Sequence, residues 1–203
     1  YVINIDDPMG EVFHYLTHTP TGRASMSRDE GYHGPGRGSG NAVSALLDGH
    51  RLTGDPKFLA KAEELIRRVV HPADDVPARN LLDVENRWFY TMLLQSLGKY
   101  LDHKAELGQL DANYAYARAS LLNYARWMAD HEVPTLSRPE TLEYPNETWA
   151  AQDLRKVEVF QFAAKHATGA EKGRFLERAD FFFRDAVARL AGFKTRTLAR
   201  PVV

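Results

Sequence analysis

The chain contains no cysteine, which excludes a disulfide framework and thiolate metal sites. It also lacks an excess of charge of either sign. With a formal net charge of −1 at pH 7, it exerts no general attraction on nucleic acid or on an anionic membrane surface. No apolar run approaches the ~20 residues that span a bilayer, and no basic segment followed by an apolar one opens the chain as a secretory leader does. Fixed catalytic signatures are missing too. There is no Gly-x-Ser-x-Gly elbow, and the glycine-rich stretch before residue 41 has no Gly-Lys-Ser/Thr of a phosphate loop and no strand pattern ahead of it. No cofactor, nucleic-acid partner or membrane partner is therefore expected. Cytoplasm, periplasm and exterior are equally compatible. The chain opens on Tyr1 rather than Met, which is expected of a processed product or a piece of a longer protein.

What is present is helical periodicity. Over residues 56–70, Phe58, Leu59, Ala62, Leu65, Ile66, Val69 and Val70 recur at spacings of three and four, while Lys61, Glu63, Glu64, Arg67 and Arg68 occupy the other side. Asp55 suits the N-cap and Pro56 the first helical position, where no amide hydrogen is needed. His71-Pro72 ends the helix, because the residue before proline is driven out of the helical region. Residues 41–53 form an apolar helix before it, stopped by Gly54. So short a connection makes the two helices antiparallel neighbours.

This helix–turn–helix unit recurs at residues 86–102 with 111–130, and at 148–166 with 170–190. The expected fold class is all-α, with about three antiparallel helical hairpins in a partial ring or open array. Residues 1–38 read as an irregular segment with a glycine-rich loop, 39–192 as the helical-hairpin domain, and 193–203 as a basic tail. Phe182, Phe183 and the tyrosines of residues 113–124 occur at helical spacing and read as core. His50, His71, His103, His131 and His166 fall near helix ends, where a cation complements the dipole. His14 and His18 sit four apart, the spacing of a metal pair, but no third ligand is anchored by spacing and no metal is expected.

The polar and aromatic residues gather just before the first helix of each pair. In the first loop Tyr32, His33 and Arg37 offer a stacking face, an imidazole and a fixed cation among glycines. In the second, Asp83, Glu85, Asn86, Arg87 and Trp88 arrive together. Asp83 and Asn86 also suit helix capping, and Trp88 also suits packing. The third repeats that character with Tyr144, Asn146, Glu147 and Asp153. Glu147 and Asp153 are its carboxylates for acid–base work, with a surface ion pair to Arg155, Lys156 or another nearby cation as the plain alternative for Asp153. If the pairs pack side by side, the three loops meet at one end of the bundle. Aromatic rings beside amides and charges suit sugars, whose faces are apolar and whose edges are hydroxyls.

The phrase Leu52-Thr-Gly-Asp-Pro-Lys-Phe-Leu-Ala-Lys-Ala-Glu-Glu-Leu65, the alternation of helices and these loops together resemble part of an alpha/alpha toroid of the six-hairpin glycosidase-like type. That group includes unsaturated glucuronyl hydrolases and the helical domains of heparinase-like polysaccharide lyases. The resemblance covers roughly residues 32–190, and three hairpins are half of such a ring. It implies action on oligo- or polysaccharides that carry uronic acid. For hydrolysis it implies Glu147 paired with Glu85 or Asp83. For elimination it implies Tyr32 or His33 as base or acid, with Asn86 and Arg37 holding the carboxylate. Arg87, Trp88, Tyr144 and Asn146 complete the substrate surface. The alternative expectation is a non-catalytic helical-repeat module whose loops bind a protein or peptide.

Overall fold

The computed structural model describes residues 34–194. Among these residues the chain is all-helical and has no strand, as the periodicity requires. Its helices are α1 (Arg37–Thr53), α2 (Pro56–Val69), α3 (Val84–Arg87), α4 (Tyr90–Glu106), α5 (Ala112–His131), α6 (Glu147–His166) and α7 (Gly169–Gly192). The readings placed on His14, His18, Tyr32 and His33, and on the tail beyond residue 194, lie outside the described residues. The chain groups into two compact units, Tyr1–Asp75 with Phe89–Asn123 and Val76–Trp88 with Tyr124–Val203. α5 gives its first turns to one unit and its last turns to the other.

In the first unit, α1 and α2 form the expected hairpin. Gly54 takes the left-handed conformation (φ 69°) and returns its N–H to the His50 carbonyl at 2.8 Å. Asp55 then caps α2 by accepting from the Lys57 amide at 2.9 Å. α1 begins at Arg37, earlier than the expected residue 41, so Arg37 belongs to a helical turn and not to the loop. The Gly40 amide already donates to the Gly36 carbonyl at 3.0 Å, and the Ser39 hydroxyl accepts from the Gly36 amide at 3.2 Å.

One of the glycines that look like loop, Gly40, serves helix packing instead. α4 packs most closely on α1, and a Cβ at Gly40 would stand 2.8 Å from the Met92 carbonyl carbon. The Ser96 hydroxyl fills that close crossing, 2.7 Å from the Gly40 carbonyl oxygen and 2.9 Å from the Ser44 hydroxyl. α4 itself is buried on nearly every side, from Tyr90 through Lys104.

In the second unit, α6 and α7 form a long hairpin turned by Gly169 at φ 58°. Phe160 on α6 stacks against Phe175 and Phe182 on α7, with ring centroids 6.2 and 5.9 Å apart. Phe183, expected in the core beside Phe182, is 51% exposed. Consecutive helical residues point about 100° apart, so the face that buries Phe182 turns Phe183 outward. The helix expected from residue 86 is also divided. α3 closes one turn, with the Trp88 amide on the Val84 carbonyl at 2.9 Å, before α4 starts anew at Tyr90.

Candidate functional site

The second and third loops come together within the second unit. α3 is organised by Asp83, whose carboxylate oxygens accept from the Asn86 side-chain amide at 3.0 and 3.1 Å. That turn carries Glu85, whose carboxylate accepts from the Glu143 backbone amide at 2.6 Å. The carboxylate therefore ties α3 to the segment just before Tyr144. Asn86 is exposed, whereas Glu85, Arg87 and Trp88 are half-buried.

Beyond this tie the chain prepares the start of α6. Tyr144 is 69% exposed, and its carbonyl accepts from the Trp149 indole at 3.1 Å. Asn146 caps α6, accepting from the Thr148 amide at 3.0 Å, and Glu147 follows in the first turn, where its charge favours the helix dipole. Sequence-expected Glu85, Asn86, Arg87, Trp88, Tyr144, Asn146 and Glu147 thus all belong to one unit. Arg37 belongs to the first.

Asp153 is no surface carboxylate. It is fully buried and accepts from both the amide and the hydroxyl of Thr135, each at 2.8 Å. Lys156 lies 3.0 Å from the same carboxylate and 2.8 Å from that of Glu132, with its ammonium 5.1 Å from the centre of the Phe182 ring. Burial pulls the Lys156 pKa down, but the two carboxylates outweigh it and hold it above the ordinary lysine value. Every ionic group here faces another, so the cluster locks the segment between α5 and α6 onto α6. It offers no open acid or base.

The first unit holds a second network of this kind, which periodicity does not announce. Glu63 accepts from Tyr100 and Lys104, both at 2.9 Å, and from the Asn113 side chain at 2.7 Å. Lys104 also reaches Asp111 at 2.7 Å, and Asp111 caps the start of α5 through the Tyr114 amide. Glu63 stands among charged residues on the polar side of α2, so its spacing marks it as solvated. The basic and aromatic partners on α4 and α5 draw it in.

His103, read as a helix-end cation, is buried at 4% exposure. Its Nδ1 accepts from the Arg51 guanidinium at 3.3 Å, and its Nε2 lies 2.8 Å from His50 Nδ1. An acceptor at Nδ1 places the proton on Nε2, which then donates to His50. Burial, with Arg51 and His50 alongside, lowers the His103 pKa against the opposing effect of Glu106. The imidazole is held toward its neutral form.

Among the described residues, no group of three or more His, Asp or Glu side chains is placed to hold a metal ion. No protein-family model matches the chain, and no curated protein or solved structure matches it either.

Proposed function

We propose that the surface carrying Glu85–Trp88 and Tyr144–Glu147 takes oligosaccharides containing uronic acid, as in a glycoside hydrolase or polysaccharide lyase of the alpha/alpha toroid type. The single observation that carries this reading is the hydrogen bond from the Glu143 amide to the Glu85 carboxylate. It brings together the two loops in which aromatic, amide and charged side chains are concentrated. Exposed Tyr144 offers a ring for a sugar face, and Arg87 a cation for the uronate. For hydrolysis, which works with two carboxyl groups, the pair is Glu85 and Glu147, carried by the two loops that the Glu143–Glu85 hydrogen bond joins.

The test is titration and turnover of a panel of uronic-acid oligosaccharides with the chain and its Glu85→Gln and Glu147→Gln variants. The expectation is saturable binding in all three, with new reducing ends only where both carboxylates are intact. Reducing ends accompanied by ultraviolet absorbance of an unsaturated uronate would indicate elimination. No saturable binding of any member would sink the carbohydrate reading. The alternative, a non-catalytic helical module that binds a protein, is favoured by a different observation: the exposed apolar residues along α7.

A further inference from the structure

α7 carries two adjacent apolar lines. The inner one, Phe175, Ala179, Phe182 and Ala186, is buried. The outer one, Leu176, Phe183, Val187 and Leu190, is not: Leu176 is 48%, Phe183 51% and Val187 45% exposed. With Asp180 included, the outer residues follow one another at alternating spacings of four and three. That is the seam of a helix that pairs with another helix.

The seam also has a hole. Leu176, Ala179, Asp180 and Phe183 on α7, with Val157 and Gln161 on α6, line a hollow of about 270 Å³. The four α7 residues have the i, i+3, i+4, i+7 arrangement that receives a knob from a facing helix.

We propose that a second copy of this chain supplies the knob, so that two α7 helices pack antiparallel across a two-fold axis. Seating the partner's Phe183 in the hollow beside Asp180 sets the register. In that register Val187 falls opposite the partner's Leu176, and the symmetry repeats both contacts. The flanking charges complement each other as well. Glu177 is exposed, and the Arg184 side chain, 78% exposed, pairs with Asp180 on its own helix. In this register Arg184 faces the partner's Glu177, twice across the axis. The surface is thus complementary to itself in shape and in sign. Leu176 to Leu190 spans about 21 Å of helix, a short seam, so association is weak and concentration-dependent.

Sedimentation velocity of the full chain across a wide loading range tests this. The expected weight-average mass rises with concentration toward twice that of one chain. Phe183→Glu weakens association at least tenfold while the far-ultraviolet circular dichroism stays unchanged. Arg184→Glu and Glu177→Arg each weaken it alone, because each sets like charges opposite one another. An equimolar mixture of those two variants restores it, because each Glu then meets an Arg. A mass of one chain at every concentration would overturn the proposal. So would a dimer indifferent to Phe183→Glu, or a mixture no more associated than its components.

Discussion

Lys156 donates to the carboxylate of Glu132 at 2.8 Å, and both side chains are more than nine-tenths buried. Asp153 completes the cluster from one helical turn before Lys156. Two carboxylates thus share one ammonium out of reach of water. Removing the ammonium leaves both acids uncompensated in a low-dielectric site. Lys156→Met, close to isosteric, is therefore expected to lower unfolding stability by about 3–5 kcal/mol, read from urea denaturation at neutral pH.

The same pairing sets an alkaline limit. Lys156 is held above the ordinary lysine value of 10.5 by Glu132 and Asp153 against the effect of burial, and Lys104 likewise by Asp111 and Glu63. Tyr100 is raised above 10.0 chiefly by burial and then by Glu63. In each case the folded chain holds a proton that the unfolded chain gives up first. Their contribution is fully present below the unfolded values and is lost as pH rises through the folded ones. Urea midpoints should therefore stay level on the approach to pH ~10 and fall beyond it, less steeply in Lys156→Met.

How far the fold could be read beforehand follows from which forces leave a local trace. Helix positions were legible because burial of one face imposes a period on Phe58, Leu65 and Val69, and because Asp55 and Gly54 act through their own backbone neighbourhood. The start of α1 was not legible. Gly36, Gly38 and Gly40 look like a loop in the sequence, and only the crossing of α4 at Gly40 gives that residue its role. Glu63 was not legible for a related reason: a carboxylate's local sequence says nothing of a cation that arrives from another helix. Asp153 differs, because its partner Lys156 stands three residues on in the same helix and was legible; its burial with Thr135 and Glu132 was not. The outward turn of Phe183 was set by the register of α7 on α6, which two adjacent phenylalanines leave open. In the candidate site, residue types were legible, but the tie between Glu85 and Glu143 crosses 58 positions and no short-range pattern carries it.

Two glycine substitutions separate helix propensity from packing. Gly40→Ala improves local propensity by up to ~1 kcal/mol, yet its new methyl meets the backbone of Met92 and Leu93 at 2.8–2.9 Å. Backbone cannot rotate away as a side chain can, so α1 and α4 must separate. A net loss of about 1–3 kcal/mol is expected. Gly173→Ala, inside α7 with nothing within 4 Å of the added atom, should instead gain about 0.5–1 kcal/mol. Thermal or urea unfolding of the pair measures both signs.

His103 should make the first unit sensitive to acid. Burial, Arg51 and His50 lower its pKa below the ordinary 6.5, so the unfolded chain takes up the proton more readily than the folded one. Stability from this group is present above 6.5 and is lost as pH falls through that value toward the folded one. Protonation at Nδ1 would also turn an acceptor for Arg51 into a donor. The expected outcome is an NMR titration of His103 displaced to lower pH than that of a free histidine. Melting temperature should decline on acidification below pH ~6.5, with a smaller slope in His103→Gln.

Asn146 offers a way to separate structure from recognition at the candidate site. Its side chain caps α6 through the Thr148 amide, so Asn146→Ala is expected to cost about 1 kcal/mol. Asn146→Asp keeps the acceptor and adds a charge that the helix N-terminus favours, so stability should be unchanged or slightly higher. Recognition responds in the opposite sense. If an acidic oligosaccharide lies against the start of α6, a carboxylate at position 146 repels it. Asn146→Asp should then bind more weakly than the unaltered chain, and increasingly so as salt is lowered, because exposed charges are less screened. Calorimetric titration of the same oligosaccharide at two ionic strengths checks this. Equal affinity for the two proteins at both strengths would leave Asn146 as a helix cap alone and would move the sugar surface away from α6.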